Sequence, residues 1–209
     1  MVAAKITIGV IGIQGAVSEH VAMMKQVFSS INGDVDIIKP ADSLDGFDGV
    51  ILPGGESTTI SRVLRSSGLF DELYSRVSEG SLAVMGTCAG CILLSDDIVD
   101  NSKDIDLLKL LSIRVRRNAY GRQRESFEQL INISELNPSS DSSFPAIFIR
   151  APVIEQVKDK NISVLAYDML KKPVMVQKNS ILALTFHPEL SNDDGIHRYF
   201  LSLVKKTVV

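Results

Sequence analysis

The chain has 209 residues, 45% of them apolar and 22% charged, the balance of an ordinary globular protein with enough length for one sizeable core. Its net charge of −3 sets up no positive field for nucleic acid or an anionic membrane. No apolar stretch nears the roughly 18 residues of a membrane span, and the short run at Met1–Gly9 reads as a strand and not as a signal segment. These features place the protein in the cytoplasm. The only cysteines, Cys88 and Cys91, sit three apart and cannot staple distant parts of the chain.

In chain order, Lys5–Ile11 is a continuous β-branched run, the pattern of a strand buried on both faces. A helix opens at Ser18 and Glu19, with Val21, Met24, Val27 and Phe28 at helical spacing. Val35–Ile38 and Gly49–Leu52 follow as short strands, then helices Ser57–Arg65 and Leu69–Val77 parted by Ser67-Gly68. Leu82–Met85 is another buried strand, followed at once by a helix from Ala89 to about Ser95. Strand–helix alternation of this kind predicts an α/β fold, a mostly parallel sheet flanked by helices. The second half turns to short strands at Ser112–Arg116, Phe127–Ile133, Ala146–Ile149, Ser163–Tyr167, Val174–Gln177 and Ile181–Phe186. They predict an antiparallel extension of that sheet or a small second sheet beside it. The polar stretch Asn137–Phe144 reads as an exposed loop, and Gly195–Lys206 as a closing amphipathic helix. With no repeat or linker in sight, residues 1–209 are expected to form a single domain.

Chemistry concentrates at Gly86-Thr87-Cys88-Ala89-Gly90, between a strand and a helix. A nucleophile on so sharp a turn needs small neighbours, and the turn lifts it above the carboxyl end of the sheet. A helix N-terminus there favours a thiolate, and the Ala89 N–H points to where an oxyanion would form. Of three histidines, His187 follows a buried strand and so shares that end of the sheet with Cys88. Pro188 biases it toward an extended backbone, in which Glu189, two residues on, projects to the same side and reaches Nδ1. Cys88, His187 and Glu189 therefore have the logic of a nucleophile, its base and an orienting carboxylate. Pro53-Gly54-Gly55-Glu56-Ser57 ends an early strand, and its glycines let a backbone N–H, that of Gly55, approach as a second oxyanion donor. It is no Walker loop, and Gly9, Gly12 and Gly15 are spaced wrongly for a dinucleotide fingerprint. His197 reads as a surface residue of the closing helix, and His20 as structural or interfacial. The arginines at 114, 116, 117, 122 and 124 read as a solvated face or a small-molecule contact.

Gly-Thr-Cys-Ala-Gly, Pro-Gly-Gly-Glu-Ser-Thr-Thr and Phe-His-Pro-Glu resemble the class I glutamine amidotransferases, whose fold is flavodoxin-like. Gln14–His20, Arg117–Gln123 and Phe148–Pro152 make the chain similar to the glutaminase subunits of pyridoxal 5′-phosphate synthases. The resemblance implies hydrolysis of L-glutamine to glutamate and ammonia through a glutamyl thioester. Ammonia would pass to a (β/α)₈ synthase subunit that combines it with ribose 5-phosphate and glyceraldehyde 3-phosphate. It implies Cys88, His187 and Glu189 as the triad, and Gly54, Gly55, Glu56, Arg117, Ile149 and Arg150 around glutamine. Gln14, Gly15, Glu19 and His20 would face the partner. The chemistry asks for no cofactor or metal, and a lone Cys-x-x-Cys is half a zinc site. Cys91 departs from the family's usual aliphatic residue and leaves open a regulatory disulfide with Cys88. The alternatives are a glutaminase serving another synthase and a thiol oxidoreductase built on the Cys-x-x-Cys.

Overall fold

The computed structural model describes residues 5–99, 104–117, 119, 126–136 and 143–207. The first half builds β1 (Ile6–Ile11), α1 (Val17–Phe28), β2 (Gly33–Ile38), β3 (Gly49–Leu52), α2 (Ser57–Ser67), α3 (Leu69–Ser78), β4 (Ala83–Thr87) and α4 (Ala89–Leu94). The second half adds β5 (Ser95–Ile98), β6 (Leu111–Arg116), β7 (Ser126–Asn132), β8 (Ser143–Ile149), β9 (Val153–Val157), β10 (Ser163–Tyr167), β11 (Pro173–Lys178), β12 (Ile181–Leu184) and α5 (Gly195–Thr207).

Seven strands form the central sheet in the order β10-β11-β12-β4-β3-β1-β2. Every pairing from β2 across to β12 is parallel, and β11 and β10 are added antiparallel. The fold is thus the expected mostly parallel α/β sheet with an antiparallel extension. The small second sheet exists as well: β5-β6-β9 form one and the β7–β8 hairpin another. Two of these strands escaped the sequence reading. β9 carries Glu155-Gln156 across an otherwise apolar run, which breaks its period, and β5 begins at Ser95, where the helix was expected to end. Residues 137–142 of the expected loop lie outside the described residues, and Ser143 and Phe144 already belong to β8.

β3, β4 and β12 are buried along their whole length, because helices cover both faces of the sheet. Alternate residues face opposite layers. Leu52, Val84 and Ala183 pack with Ile60 and Leu64 of α2, Leu73 of α3 and Leu93 of α4. Ile51, Met85 and Leu184 pack with Met24 and Val27 of α1 and Phe200 and Val204 of α5. Gly68, left-handed at φ 84°, ends α2 and starts α3, so one residue turns the chain between two helices. Among the described residues no helix is long and apolar enough to cross a membrane.

Candidate active site

Four parallel strands deliver the site. Gln14 follows β1, Gly54 follows β3, Cys88 follows β4 and His187 follows β12, all at the carboxyl edge where open α/β sheets bind ligands. They line one cleft of about 380 Å³. All of the residues expected around glutamine border it: Gly54, Gly55, Glu56, Arg117, Ile149 and Arg150. Ala16, Ser57 and Ile92 complete the wall and were not anticipated.

Cys88 takes φ 48° and ψ −101°, a left-handed backbone that costs about 1–3 kcal/mol in a non-glycine residue and marks a turn held by its surroundings. Its N–H donates to Leu184 O of β12 at 2.8 Å, which locks the turn to the strand that carries His187. Gly86 and Gly90 make room for it. A Cβ on Gly90 would lie 2.2 Å from Leu52 O, and one on Gly86 would lie 2.6 Å from the Gly90 carbonyl carbon. The Cys88 thiol points along the cleft, 4.0 Å from Ile149 O.

His187 and Glu189 form the rest of the group. Nδ1 of His187 lies 2.7 Å from Glu189 Oε1, and both side chains are buried. Glu189 does not reach its partner along an extended stretch, as its spacing suggested. Pro188–Leu190 is a 3-10 turn, which swings Glu189 back under the ring, and the His187 N–H is pinned to Ile147 O of β8 at 2.8 Å. The strand ends at Leu184, two residues earlier than Phe186, because the chain must bend to bring His187 over Cys88. Burial pushes the His187 imidazole down, but hydrogen bonds and charge from Cys88 and Glu189 outweigh it and raise it to about 10. Gly54 lies directly against this pair: a Cβ there would sit 2.4 Å from His187 Cε1 and 3.3 Å from Cys88 Cβ.

The glycine turn is held from β1. A Cβ on Gly15 (φ 99°) would sit 1.7 Å from Gly54 O, so only glycine lets the two turns touch. Gln14 Oε1 accepts from the Glu56 N–H at 3.3 Å. Across the cleft Arg150, itself at φ 44°, reaches Glu56 Oε1 at 3.2 Å, an exposed pair that ties the mouth together loosely.

Residues 10–206 match the model of the SNO glutamine amidotransferase family. The chain belongs to that family. Among its relatives are two proteins named pyridoxal 5′-phosphate synthase subunit PdxT. The one from Staphylothermus marinus is 46% identical over 95% of this chain and 98% of its own. The one from Thermococcus onnurineus is 42% identical over 93% and 96%. A crystal structure described as a glutamine amidotransferase superposes with a TM-score of 0.85 at 41% identity, covering 95% of this chain and 98% of its own. A glutamine amidotransferase from Thermotoga maritima, 14% identical with a TM-score of 0.63 over 99% of this chain and 87% of its own, shares the fold alone.

For a glutamine amidotransferase the cleft has suitable chemistry. The exposed Glu56 and Arg150 and the half-buried Arg117 offer the opposite charges that an amino acid's ammonium and carboxylate need, and Cys88 is buried in the same cleft. The expected partner-facing residues divide. Gln14, Gly15 and Glu19 are exposed, but His20 is fully buried beneath the triad and cannot touch a partner directly. His197 was expected at the surface and is also fully buried, on a wider apolar face than Ile196, Tyr199, Phe200 and Leu203 alone suggested. His197, Leu201 and Val204 at helical spacing were the legible sign. His20 Nδ1 lies 3.0 Å from His197 Nε2. Burial, then the neighbouring His197 and His187, holds His20 well below the ordinary histidine value, and burial takes His197 to about 3 despite the charge of Asp194. Cys91 is wholly buried in α4, and burial followed by the Cys88 charge drives its thiol far up, which leaves it unreactive as a core residue. Positions 118 and 120–124 of the arginine-rich stretch lie outside the described residues.

Proposed function

We propose that Cys88, His187 and Glu189 hydrolyse L-glutamine, and that this chain is the glutaminase subunit of a pyridoxal 5′-phosphate synthase, working as one domain in the cytoplasm. The observation that carries the reading is the buried Cys88–His187–Glu189 group beside a cleft that also presents the opposite charges of Glu56 and Arg150. The partner is the (β/α)₈ synthase subunit, which takes the ammonia and carries out the ring-forming chemistry with ribose 5-phosphate and glyceraldehyde 3-phosphate. The names of the relatives at 42% and 46% identity support this acceptor over another synthase. The inert burial of Cys91 argues against a dithiol oxidoreductase.

The Cys88 sulfur attacks the carboxamide carbon of glutamine, and the carbonyl π pair moves onto oxygen, where the N–H groups of Gly55 and Ala89 receive it. Losing one such donor costs roughly 10²–10³ in rate. His187, raised to about 10, starts as the imidazolium and gives its Nε2 proton to the departing ammonia. The C–N bond breaks as the carbonyl re-forms, leaving a glutamyl thioester. Neutral His187 then takes a proton from water, hydroxide adds to the thioester carbon, and the C–S bond breaks to release glutamate. Glu189 holds the Nδ1 proton and offsets the ring's positive charge throughout.

Glutamate release tests the proposal, measured for the chain alone and with the synthase subunit. Activity in the complex that disappears in Cys88→Ala is expected. A Cys88→Ala complex as fast as wild type would remove the triad, and no release with the partner bound would remove the glutaminase reading.

A further inference from the structure

The triad does not end at Glu189. Its Oε1 serves His187, whereas Oε2 is buried without a satisfied hydrogen bond among the described residues, and lies 3.3 Å from His20 Nε2. A buried carboxylate oxygen left without a donor is costly, so its contact with His20 bears the argument. His20 Nε2 is within hydrogen-bonding reach of Thr87 Oγ1 at 3.3 Å, and Glu189 Oε2, at the same distance, lies beside the same edge of the ring as an electrostatic contact. On the far side His20 Nδ1 faces His197 Nε2 at 3.0 Å. All of these side chains are buried, and they come from α1, α5, β4 and the turn after β12.

Proton placement follows from the atoms that lack partners. Neutral rings carry one N–H each. If His20 bore its proton on Nδ1, its Nε2 lone pair would face the Glu189 carboxylate, and His197 would have to bear its own proton on Nδ1. That atom has no partner among the described residues, so a buried donor would be orphaned. With protons on both Nε2 atoms, His197 donates to His20, His20 donates to Thr87 Oγ1 with the positive edge of its N–H beside Glu189 Oε2, and the His197 Nδ1 lone pair goes unused. Each hydrogen bond then points toward the nucleophile and polarises the next.

We propose that His20, backed by His197, is a positioning residue for catalysis: it holds Glu189 Oε2 so that Oε1 stays aligned on His187. This rests on the glutaminase reading for its kinetic consequence but not for its geometry. A neutral imidazole suits the task because it donates and accepts at once, and it adds no charge to compete with His187 for the carboxylate. An aliphatic residue would fill the space and leave Oε2 bare, free to rotate Glu189 off its partner.

The test uses the chain in complex with its synthase subunit, with kcat and KM for glutamine measured for His20→Leu, His20→Gln, Glu189→Ala and His20→Leu/Glu189→Ala. Loss of the N–H edge that faces the carboxylate predicts a fall in kcat of about 10–100-fold for His20→Leu, with KM nearly unchanged. Glutamine places an amide donor near the imidazole Nε2 and should restore most of the rate. The double variant should be no slower than Glu189→Ala, since both act through one carboxylate. A wild-type kcat in His20→Leu, or losses that multiply in the double variant, would overturn the proposal. A second readout needs neither substitution nor activity. With three histidines in the chain, ¹⁵N spectra of the unsubstituted protein report each tautomer. His20 and His197 protonated on Nε2 is the expected result, and His20 protonated on Nδ1 overturns the assignment even if His20→Leu fails to fold. Silence of the wild-type complex toward glutamine would instead count against the glutaminase reading and leave the spectra to decide this one.

Discussion

At the scale of single residues, Gly54 shows how little slack surrounds the chemistry. Its missing side chain is the space in which the His187 ring sits, with 2.4 Å between a virtual Cβ and Cε1. Gly54→Ala must therefore displace the ring from its place beside Cys88. Because displacement by about 1 Å of a reacting group can cost on the order of 10²-fold, kcat should fall by that order while the melting temperature changes little. Kinetics beside a thermal melt on the same preparation checks this, and an unimpaired Gly54→Ala enzyme would show that His187 moves freely. In the sequence Gly54 was legible as a close-approach residue, but the group it makes room for was not, because that depends on a strand 130 positions later. The triad was legible for the converse reason: Cys88 and His187 each follow an apolar strand, and strand ends of a parallel sheet share one edge. The burial of His197 could be read from its spacing with Leu201 and Val204, but its pairing with His20 could not, since two helices 177 positions apart give no sign of which rings will meet.

At the scale of elements, α4 is short and lies hard on the sheet. Its approach to β3 depends on Gly90, where a methyl group would meet the Leu52 carbonyl at 2.2 Å, a backbone atom that cannot swing aside. Gly90→Ala should lower stability by about 1–3 kcal/mol, the usual cost of overpacking, and shift Cys88 with the helix. A urea titration measures the first effect and glutaminase rate the second; stability equal to wild type would mean that α4 can slide. α5 makes the opposite kind of contact. Phe200 is wholly buried in the layer beneath β3 and β4, and Phe200→Ala should cost about 3–5 kcal/mol with the cleft residues untouched. Element types were read correctly wherever the period was clean. They failed at β9, where two polar residues interrupt the run, and at the Pro188–Leu190 turn, where the proline's local bias gave no hint of the bend that tertiary contact with Ile147 imposes.

At the scale of the whole molecule, the three buried histidines give stability a pH dependence with two opposed limbs. In the unfolded chain each titrates near 6.5. Folded His197 is held to about 3 and His20 well below its ordinary value, so the unfolded state binds more protons once the pH falls beneath about 6.5. Their contribution is full above that point and is lost as the pH falls, that of His197 down to about pH 3, by up to about 1.4 kcal/mol per pH unit for a ring. His187, raised to about 10, has the other sign. Its contribution is full below about 6.5 and is lost as the pH climbs through 10. Urea midpoints taken between about pH 4 and about pH 10 should peak near 6.5, and removal of His20 should make the acid limb shallower while leaving the share that His197 contributes. A flat acid limb in the native protein would mean that the two buried rings gain protons without unfolding.

The strand order has one more consequence. β12 is inserted between β4 and β11, and it brings His187 and Glu189 and then α5, all about 90 residues or more after β4. During synthesis on a ribosome, Cys88 emerges long before its base, and until β12 arrives β4 lacks its neighbour on that side. A nascent or prematurely terminated chain thus holds a thiol with no imidazole beside it. Glutamine is spared until β12 and the turn after it have joined the sheet, because the thiol is made before the imidazole that arms it.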